Sequence, residues 1–182
     1  MRLMPAFALM LATASAGAAD YAAQPGSTLG FSASFQGERF EGQFERFSPR
    51  IRFDPARLQD SRFDVAIELG SADTDNPDRD EVLLGPEFFA TASHSRARYL
   101  ATKFRYLGGD RYVADGALTL RGISQPVELT FSWTPGATPV LAGEARLSRL
   151  AFDVGTGDWS DTGLMPDEVL VTTRLQLAPA AD

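Results

Sequence analysis

YVADGALTLRGISQPVELTFSW, residues 112–133, is the stretch that decides the fold class of this chain. Its apolar residues take every second position before Arg121 and again after Pro126, and they change from even to odd numbers between the two runs. Side chains alternate between the two faces of a β-strand, so these runs predict a hairpin with one apolar face. The connection is predicted to span Arg121 to Pro126, and the polar residues between the apolar ones are predicted to face water.

The same alternation recurs along most of the chain. It is clearest at 29–35, 40–44, 63–69, 97–106 and 169–177, and a shift of one position near Thr102 predicts a β-bulge. A shorter run at 51–53 and the residues around 145–152 complete eight or nine predicted strands. An antiparallel set of this size predicts an all-β domain, as either a closed barrel or a sandwich, and closure removes the exposed edges.

One long connection, residues 71–95, interrupts the alternation. We predict a short helical segment near residues 78–89, which delivers Phe88 and Phe89 to the interior. The outer faces of the predicted strands carry charged residues such as Arg62 and Asp64. A membrane-spanning barrel needs an apolar outer face, so the pattern predicts a sheet that faces water.

Composition and the start of the chain suggest an exported protein. Residues 1–18 have a basic start, a short apolar core and small residues before a cleavage site, which predicts a secretory signal followed by one domain over 19–182 and a periplasmic location. No later run is long enough for a transmembrane helix. The 182 residues contain no cysteine, which excludes disulfides, and their net charge of −7 disfavours binding to nucleic acid or to anionic membranes by charge.

The polar motifs do not predict a reaction. His94 is the single histidine and no G-x-S-x-G motif is present, so we predict no catalytic residue. The acidic run 73–80 lacks the spacing of a calcium loop, and the G-x-G at 155–157 is not followed by a predicted helix. We therefore expect neither a metal site nor a cofactor, and we interpret 73–80 as a turn that caps a short helix, with Arg79 and Asp80 paired locally or with the barrel rim.

The predicted interior is rich in aromatic residues. The 13 phenylalanines, most of them at inward positions, are compatible with a packed core, which the periodicity alone favours, and with the lining of an apolar cavity. Trp159 suits a lid over one opening as well as a plug. Arg46, Arg121 and Arg149 lie near strand ends, where a guanidinium either binds the polar head of a ligand or forms a salt bridge at the rim.

Several motifs resemble those of the YceI-like family, lipocalin-like proteins that bind polyisoprenoid lipids. The resemblance runs from about Ser27 to Ala178. Its motifs are Gly42-Gln43-Phe44 with IRFDP at 51–55, Arg79-Asp80 ahead of Phe88-Phe89, GALTLRG at 116–122 with Pro126-Val127, and SRLAFDVG at 148–155 with GDW at 157–159.

The resemblance implies an eight-stranded antiparallel lipocalin-like barrel whose apolar channel holds an isoprenoid chain, of a quinone or a polyprenyl lipid, without catalysis. A homodimer is an open option. The candidate ligand-binding residues are Phe31, Phe44, Phe53, Phe63, Val65, Ile67, Phe88, Phe89, Tyr99, Leu118, Leu120, Phe131, Trp133, Leu147, Phe152 and Trp159. The alternative is a protein-interaction module with a packed core, which acts through loops 71–95 or 155–167.

Overall fold

The computed structural model describes residues 19–180 and shows a closed antiparallel β-barrel with one short helix. The predicted signal segment, 1–18, lies outside the described residues. The strands are β1 (Asp20–Ala23), β2 (Thr28–Phe35), β3 (Glu38–Phe44), β4 (Phe47–Arg52), β5 (Arg62–Glu68), β6 (Ala72–Asp73), β7 (Arg96–Gly108), β8 (Arg111–Leu120), β9 (Ile123–Thr134), β10 (Val140–Ser148) and β11 (Glu168–Pro179), and the helix is α1 (Pro77–Leu84).

These segments combine into the eight strands of a closed barrel, as predicted. β1 and β2 both pair with β11, so together they form one strand of the barrel. A turn separates them, in which the Ser27 amide donates to the Gln24 carbonyl over 3.1 Å. β4 pairs with β1 and β3 pairs with β2, so β3 and β4 together form the second strand of the barrel. β5 pairs with β4 and β6 pairs with β3, so β5 and β6 together form the third. The pairing of Tyr21 with Pro179 closes the ring between β1 and β11.

The hairpin that decided the fold class is present, but its turn is shorter than expected. β8 ends at Leu120 and β9 begins at Ile123, so Arg121 and Gly122, with φ of 53° and 77°, form a two-residue turn. The predicted connection up to Pro126 is therefore wrong, because this proline lies within β9, opposite Ala117. β9 pairs with β10 only from residue 130 onward, so a residue without an amide N–H is tolerated at that edge.

Two further irregularities were visible in the sequence. The register between β7 and β8 shifts between Ala101 and Lys103, which confirms the predicted bulge. The helix begins at Pro77, where the side chain of Asn76 accepts a hydrogen bond from the Arg79 amide, and it ends at Leu84. The helical segment expected near 78–89 is thus shorter at its end, because the backbone leaves the helix at the glycine and proline that follow.

Ion pairs join neighbouring strands on the outer wall of the barrel. Asp64 on β5 accepts two hydrogen bonds from Arg98 on β7, at 2.7 and 2.6 Å, and a third from Arg62. The hydrogen bonds from Arg98 lower the pKa of the Asp64 carboxyl below its ordinary value. Between residues 19 and 180 no helix has the length and apolar character needed to cross a bilayer.

Candidate functional site

One half of the barrel interior is filled by aromatic rings. The ring of Phe53, just after β4, has five other rings with centroids 5.0–6.0 Å away. Phe63 and Phe131 at the centre of this group are only 1% and 2% exposed. The group, called here the aromatic plug, consists of Phe53, Phe63, Phe104, Tyr112, Phe131 and Trp133.

The other half of the interior is hollow and contains an apolar cavity of about 180 Å³. The walls that the described residues form expose apolar atoms alone to this space. Several inward side chains here are only partly buried because they face the cavity, in contrast to Phe53, Phe63 and Phe131 of the plug. The residues around it include Leu29, Phe31, Phe40, Phe44, Phe47, Val65, Ile67, Leu83, Phe88, Phe89, Tyr99, Leu118, Leu120, Val127, Leu129, Leu147, Phe152, Val154, Met165, Val169 and Val171.

Small residues at inward positions make room for this cavity. Ala33, Ala97 and Ala145 point inward from three different strands and border the space. Gly42 lies beneath the ring of Phe31, where an added Cβ would come within 2.4 Å of the ring. The strand pattern of this half is the same as in the plug, but small residues lie between its large inward side chains.

Tyr99 is the tyrosine that the described residues contribute to the cavity wall, and its hydroxyl points into the wall and away from the cavity. The hydroxyl lies 3.0 Å from the carbonyl oxygen of Ala114 and 3.2 Å from that of Val127. The ring lies over Gly116, where an added Cβ would be 2.5 Å from it. Burial raises the pKa of Tyr99 well above its ordinary value, so the group stays protonated and neutral.

Two segments cover the end of the hollow half. They are residues 74–95, which contain α1, and residues 149–167, and we call them the capping segments. The two capping segments contact each other at Glu87. Its main-chain carbonyl accepts a hydrogen bond from the Gly155 amide over 2.6 Å, and its carboxylate accepts one from the indole N–H of Trp159 over 2.9 Å. The Trp159 ring packs on Phe88, with centroids 5.2 Å apart, so it lies over the capped end and does not border the cavity.

Arg149 organises the second capping segment from within. It is 2% exposed, and burial lowers the pKa of its guanidinium below the ordinary value. All five of its N–H groups donate to main-chain carbonyls, which are those of Pro166, Val154, Gly155, Trp159 and Met165, at 2.6–3.1 Å. The side chain borders the cavity but has no donor left for a ligand, so its geometry supports a structural role instead of the head-group contact considered from the sequence.

The other two candidate arginines lie outside the cavity. Arg121 directs one guanidinium nitrogen to the carbonyls of Pro86 and Phe88, which ties the hairpin turn to the first capping segment. Arg46 bonds the carboxylate of Glu68 over 2.8 Å on the outer wall. Neither arginine touches the cavity in this conformation.

The acidic run 73–80 serves local structure. Asp80 accepts from the hydroxyl of Thr74 over 2.6 Å, and Arg79 donates to the same hydroxyl over 2.8 Å. The Arg79 guanidinium also lies 4.6 Å from the centre of the Phe40 ring. These contacts confirm the interpretation of the run as a capped turn, and no three acidic or histidine side chains within residues 19–180 come together as a metal site would require.

The structure brings together twelve of the sixteen candidate ligand-binding residues around the cavity, so most of the candidates belong to its wall. The exceptions are Phe53, Phe131 and Trp133 in the plug and Trp159 outside. Wall residues from the capping segments, such as Leu83, Val154 and Met165, were missed. No periodic pattern marks these three residues. Val127 and Val171 also lie on the wall and were not among the candidates, although they belong to alternating runs from which they were predicted to point inward.

Comparison with known proteins gives consistent results. Residues 21–177 match the family model described as a YceI-like domain. A UPF0312 protein of Photorhabdus laumondii is 32% identical over 130 residues, covering 69% of this chain and 67% of its own. A UPF0312 protein of Vibrio vulnificus is 26% identical over 172 residues, covering 86% and 91%.

Solved structures share the fold. BcnA of Burkholderia cenocepacia superimposes with a TM-score of 0.80 at 28% identity, covering 84% of this chain and 96% of BcnA. A polyisoprenoid-binding domain of Saccharophagus degradans, implicated in plant cell wall breakdown, gives a TM-score of 0.68 at 16% identity, with 89% and 99% covered. At that identity the second likeness shows the fold alone.

Proposed function

This chain belongs to the YceI-like family, and from its apolar cavity we propose that it binds or carries a long-chain isoprenoid lipid, of the quinone or polyprenyl type, without catalysing a reaction. The observation that carries the proposal is the hollow half of the barrel, whose walls expose no polar atom within the described residues. The polyisoprenoid-binding domain of similar fold from Saccharophagus degradans supports the same ligand class.

The proposed driving force is burial of hydrocarbon. Each CH₂ group removed from water contributes about 0.8 kcal/mol, so a chain of many such groups binds tightly without polar contacts. An apolar cavity of about 150 Å³ is sufficient to bind benzene in another protein. The cavity of about 180 Å³ therefore suits one end of an isoprenoid chain as it stands, and a longer buried stretch needs partly exposed wall residues such as Phe44 and Phe47 to change rotamer.

The cavity also bears on the alternative function. An interaction module with a packed core would need no void among its inward side chains. The hollow half favours lipid binding over that alternative, since burying hydrocarbon there fills a space that the protein's own side chains leave empty. For location we propose the periplasm, on the signal-like residues 1–18.

The test is native mass spectrometry of the purified protein, followed by solvent extraction and identification of any bound lipid. We expect a stoichiometric isoprenoid, or uptake of added quinone or polyprenol. A protein that arrives empty and refuses both lipids contradicts the proposal. The same spectra measure whether the chain forms a homodimer.

A pair of variants on β5 links the bound lipid to the cavity. Ile67→Trp places a large ring in the cavity and is expected to abolish lipid uptake, whereas Ala66→Trp, on the opposite face of the same strand, is the matched control and is expected to retain it. Equal uptake by the two folded variants would place the lipid elsewhere on the protein.

A further inference from the structure

We propose that the protein selects isoprenoid lipids with an uncharged head, such as an alcohol or a quinone, over those with a phosphate or pyrophosphate head. This inference rests on the proposed function and adds the chemical class of the head group. It comes from the distribution of charge around the hollow half.

The negative charge of the chain is concentrated in the capping segments. Residues 74–95 contain five acidic residues and one arginine, and residues 149–167 contain four acidic residues and one arginine. Their formal charges of −4 and −3 together equal the −7 of the whole chain, so the remainder of the sequence is formally neutral. The covered end of the cavity is thus the acidic end of the molecule.

The acidic residues of the capping segments are not neutralised by ion pairs. Every ion pair within residues 19–180 joins residues of the barrel wall or of the 53–61 connection, as in the pairing of Arg105 with Asp115 and Glu128. The carboxylates of the capping segments that make hydrogen bonds accept them from neutral donors, such as the indole of Trp159 or the hydroxyl of Thr74. Their negative charge therefore persists at the capped end.

The arginines of the capping segments do not offer a phosphate site either. Arg149 borders the cavity, but its five N–H groups are all used by main-chain carbonyls. Arg79 bonds Thr74 and lies against the ring of Phe40. Bidentate binding of a phosphate needs free, forked N–H donors. Arg149 has none, and the Nε–Nη2 edge of Arg79 is engaged by Thr74.

The plug determines where the head group lies. Because aromatic rings fill the opposite half of the barrel, a chain that enters the cavity points its tip toward the plug and leaves its head at the acidic end. A phosphate there meets the net negative charge of −7 of the capping segments, which outweighs the positive charge of Arg121 held at the Pro86 and Phe88 carbonyls, whereas an alcohol or a quinone carries no charge to be repelled. The repulsion acts through solvent over roughly 10 Å at 0.1 M salt and fades as salt rises.

The experiment compares a polyprenol with the polyprenyl phosphate of the same chain length, by equilibrium binding at low and at high salt. We expect the polyprenol to bind about tenfold more tightly at roughly 0.02 M salt, and this ratio to shrink toward one at about 1 M salt. Equal or tighter binding of the phosphate at low salt overturns the inference and leaves the proposed function intact. If neither lipid binds and the protein also refuses added quinone, the proposed function fails, and the inference with it. If quinone alone binds, the proposed function stands and the inference is overturned in the polyprenyl series.

Paired charge variants identify the origin of the preference. Glu81→Gln combined with Asp158→Asn removes two exposed charges from the capping segments and is expected to reduce the low-salt preference several-fold. Asp110→Asn combined with Glu144→Gln removes two exposed charges outside the capping segments and is expected to leave it unchanged. An equal effect of both pairs would show that net charge, and not the capped end, sets the preference, which also contradicts the inference.

Discussion

The two halves of this barrel are built from the same strands, yet one is filled and the other is hollow. Phe131 in the plug and Leu129 two residues earlier both point inward from β9, but the first is 2% exposed and the second faces the cavity and is only partly buried. The difference lies in how the rings are arranged: the rings of the plug pack around Phe53, whereas rings of the hollow half such as Phe31 and Phe89 border a space that is left open. Alternation decides which side chains face inward, and their arrangement decides whether space remains.

This comparison separates stability from ligand binding. The plug supplies close-packed contacts whatever occupies the cavity, because its rings touch one another. The hollow half leaves apolar surface in a cavity, which a hydrocarbon ligand is able to cover. Variants in the plug should therefore change the free energy of unfolding, and variants in the hollow half should change ligand uptake.

The largest expected effect is from truncation in the plug. Phe131→Ala should lower the free energy of unfolding by about 3–5 kcal/mol, whereas Leu129→Ala should cost less, about 1–2 kcal/mol, because its surroundings are already open. Urea denaturation of the two variants measures the difference. Equal losses would mean that the two halves are packed alike.

Loss of Arg149 is expected to be nearly as costly, at about 3 kcal/mol, because a variant such as Arg149→Met leaves several buried carbonyls without a donor. The damage should be confined to residues 149–167, which would lose their hydrogen-exchange protection before the barrel strands do. An unchanged exchange pattern in that segment would show that the guanidinium does not hold it in place.

A smaller effect is expected where a ring rests on a glycine. Gly116→Ala should displace the Tyr99 ring from the wall into the cavity, at a cost of about 1–3 kcal/mol, and it should reduce lipid uptake by narrowing the space. In a Tyr99→Leu background the same substitution should cost much less. Additive losses in the double variant, measured by thermal unfolding, would rule out this contact as the cause.

The smallest effect is a pH dependence. Burial raises the pKa of Tyr99 in the folded state, so above pH 10 the unfolded chain ionises this group while the folded chain does not. Its contribution to stability is complete below pH 10 and falls by up to about 1.4 kcal/mol per pH unit above it. Tyr99→Phe should make the alkaline loss of stability shallower in denaturation series at pH 9–11, and an unchanged slope would contradict this role.

The sequence predicted the fold better than it predicted the site. Alternation located the β8–β9 hairpin and the bulge after Ala101, because local periodicity reflects burial on one face of a sheet. It could not separate Phe131 from Leu118, since both alternate correctly and only the three-dimensional arrangement shows which neighbours fill the space. The sequence also did not predict that Pro126 lies within a strand, because this depends on where β9 and β10 diverge. It did not predict the role of Arg149, because this depends on carbonyls that an irregular loop brings together.

The closing pair of strands has a consequence for how the chain folds. β1 pairs with β11, so Tyr21 must find Pro179 across nearly the whole sequence before the ring is complete. Contacts so distant in sequence make folding slow, and until the last strand arrives the inward faces of the others stay open to solvent and to other chains. The twelve residues of β11 therefore complete the interior: a chain truncated before β11 would keep its strand pattern and still have no closed interior.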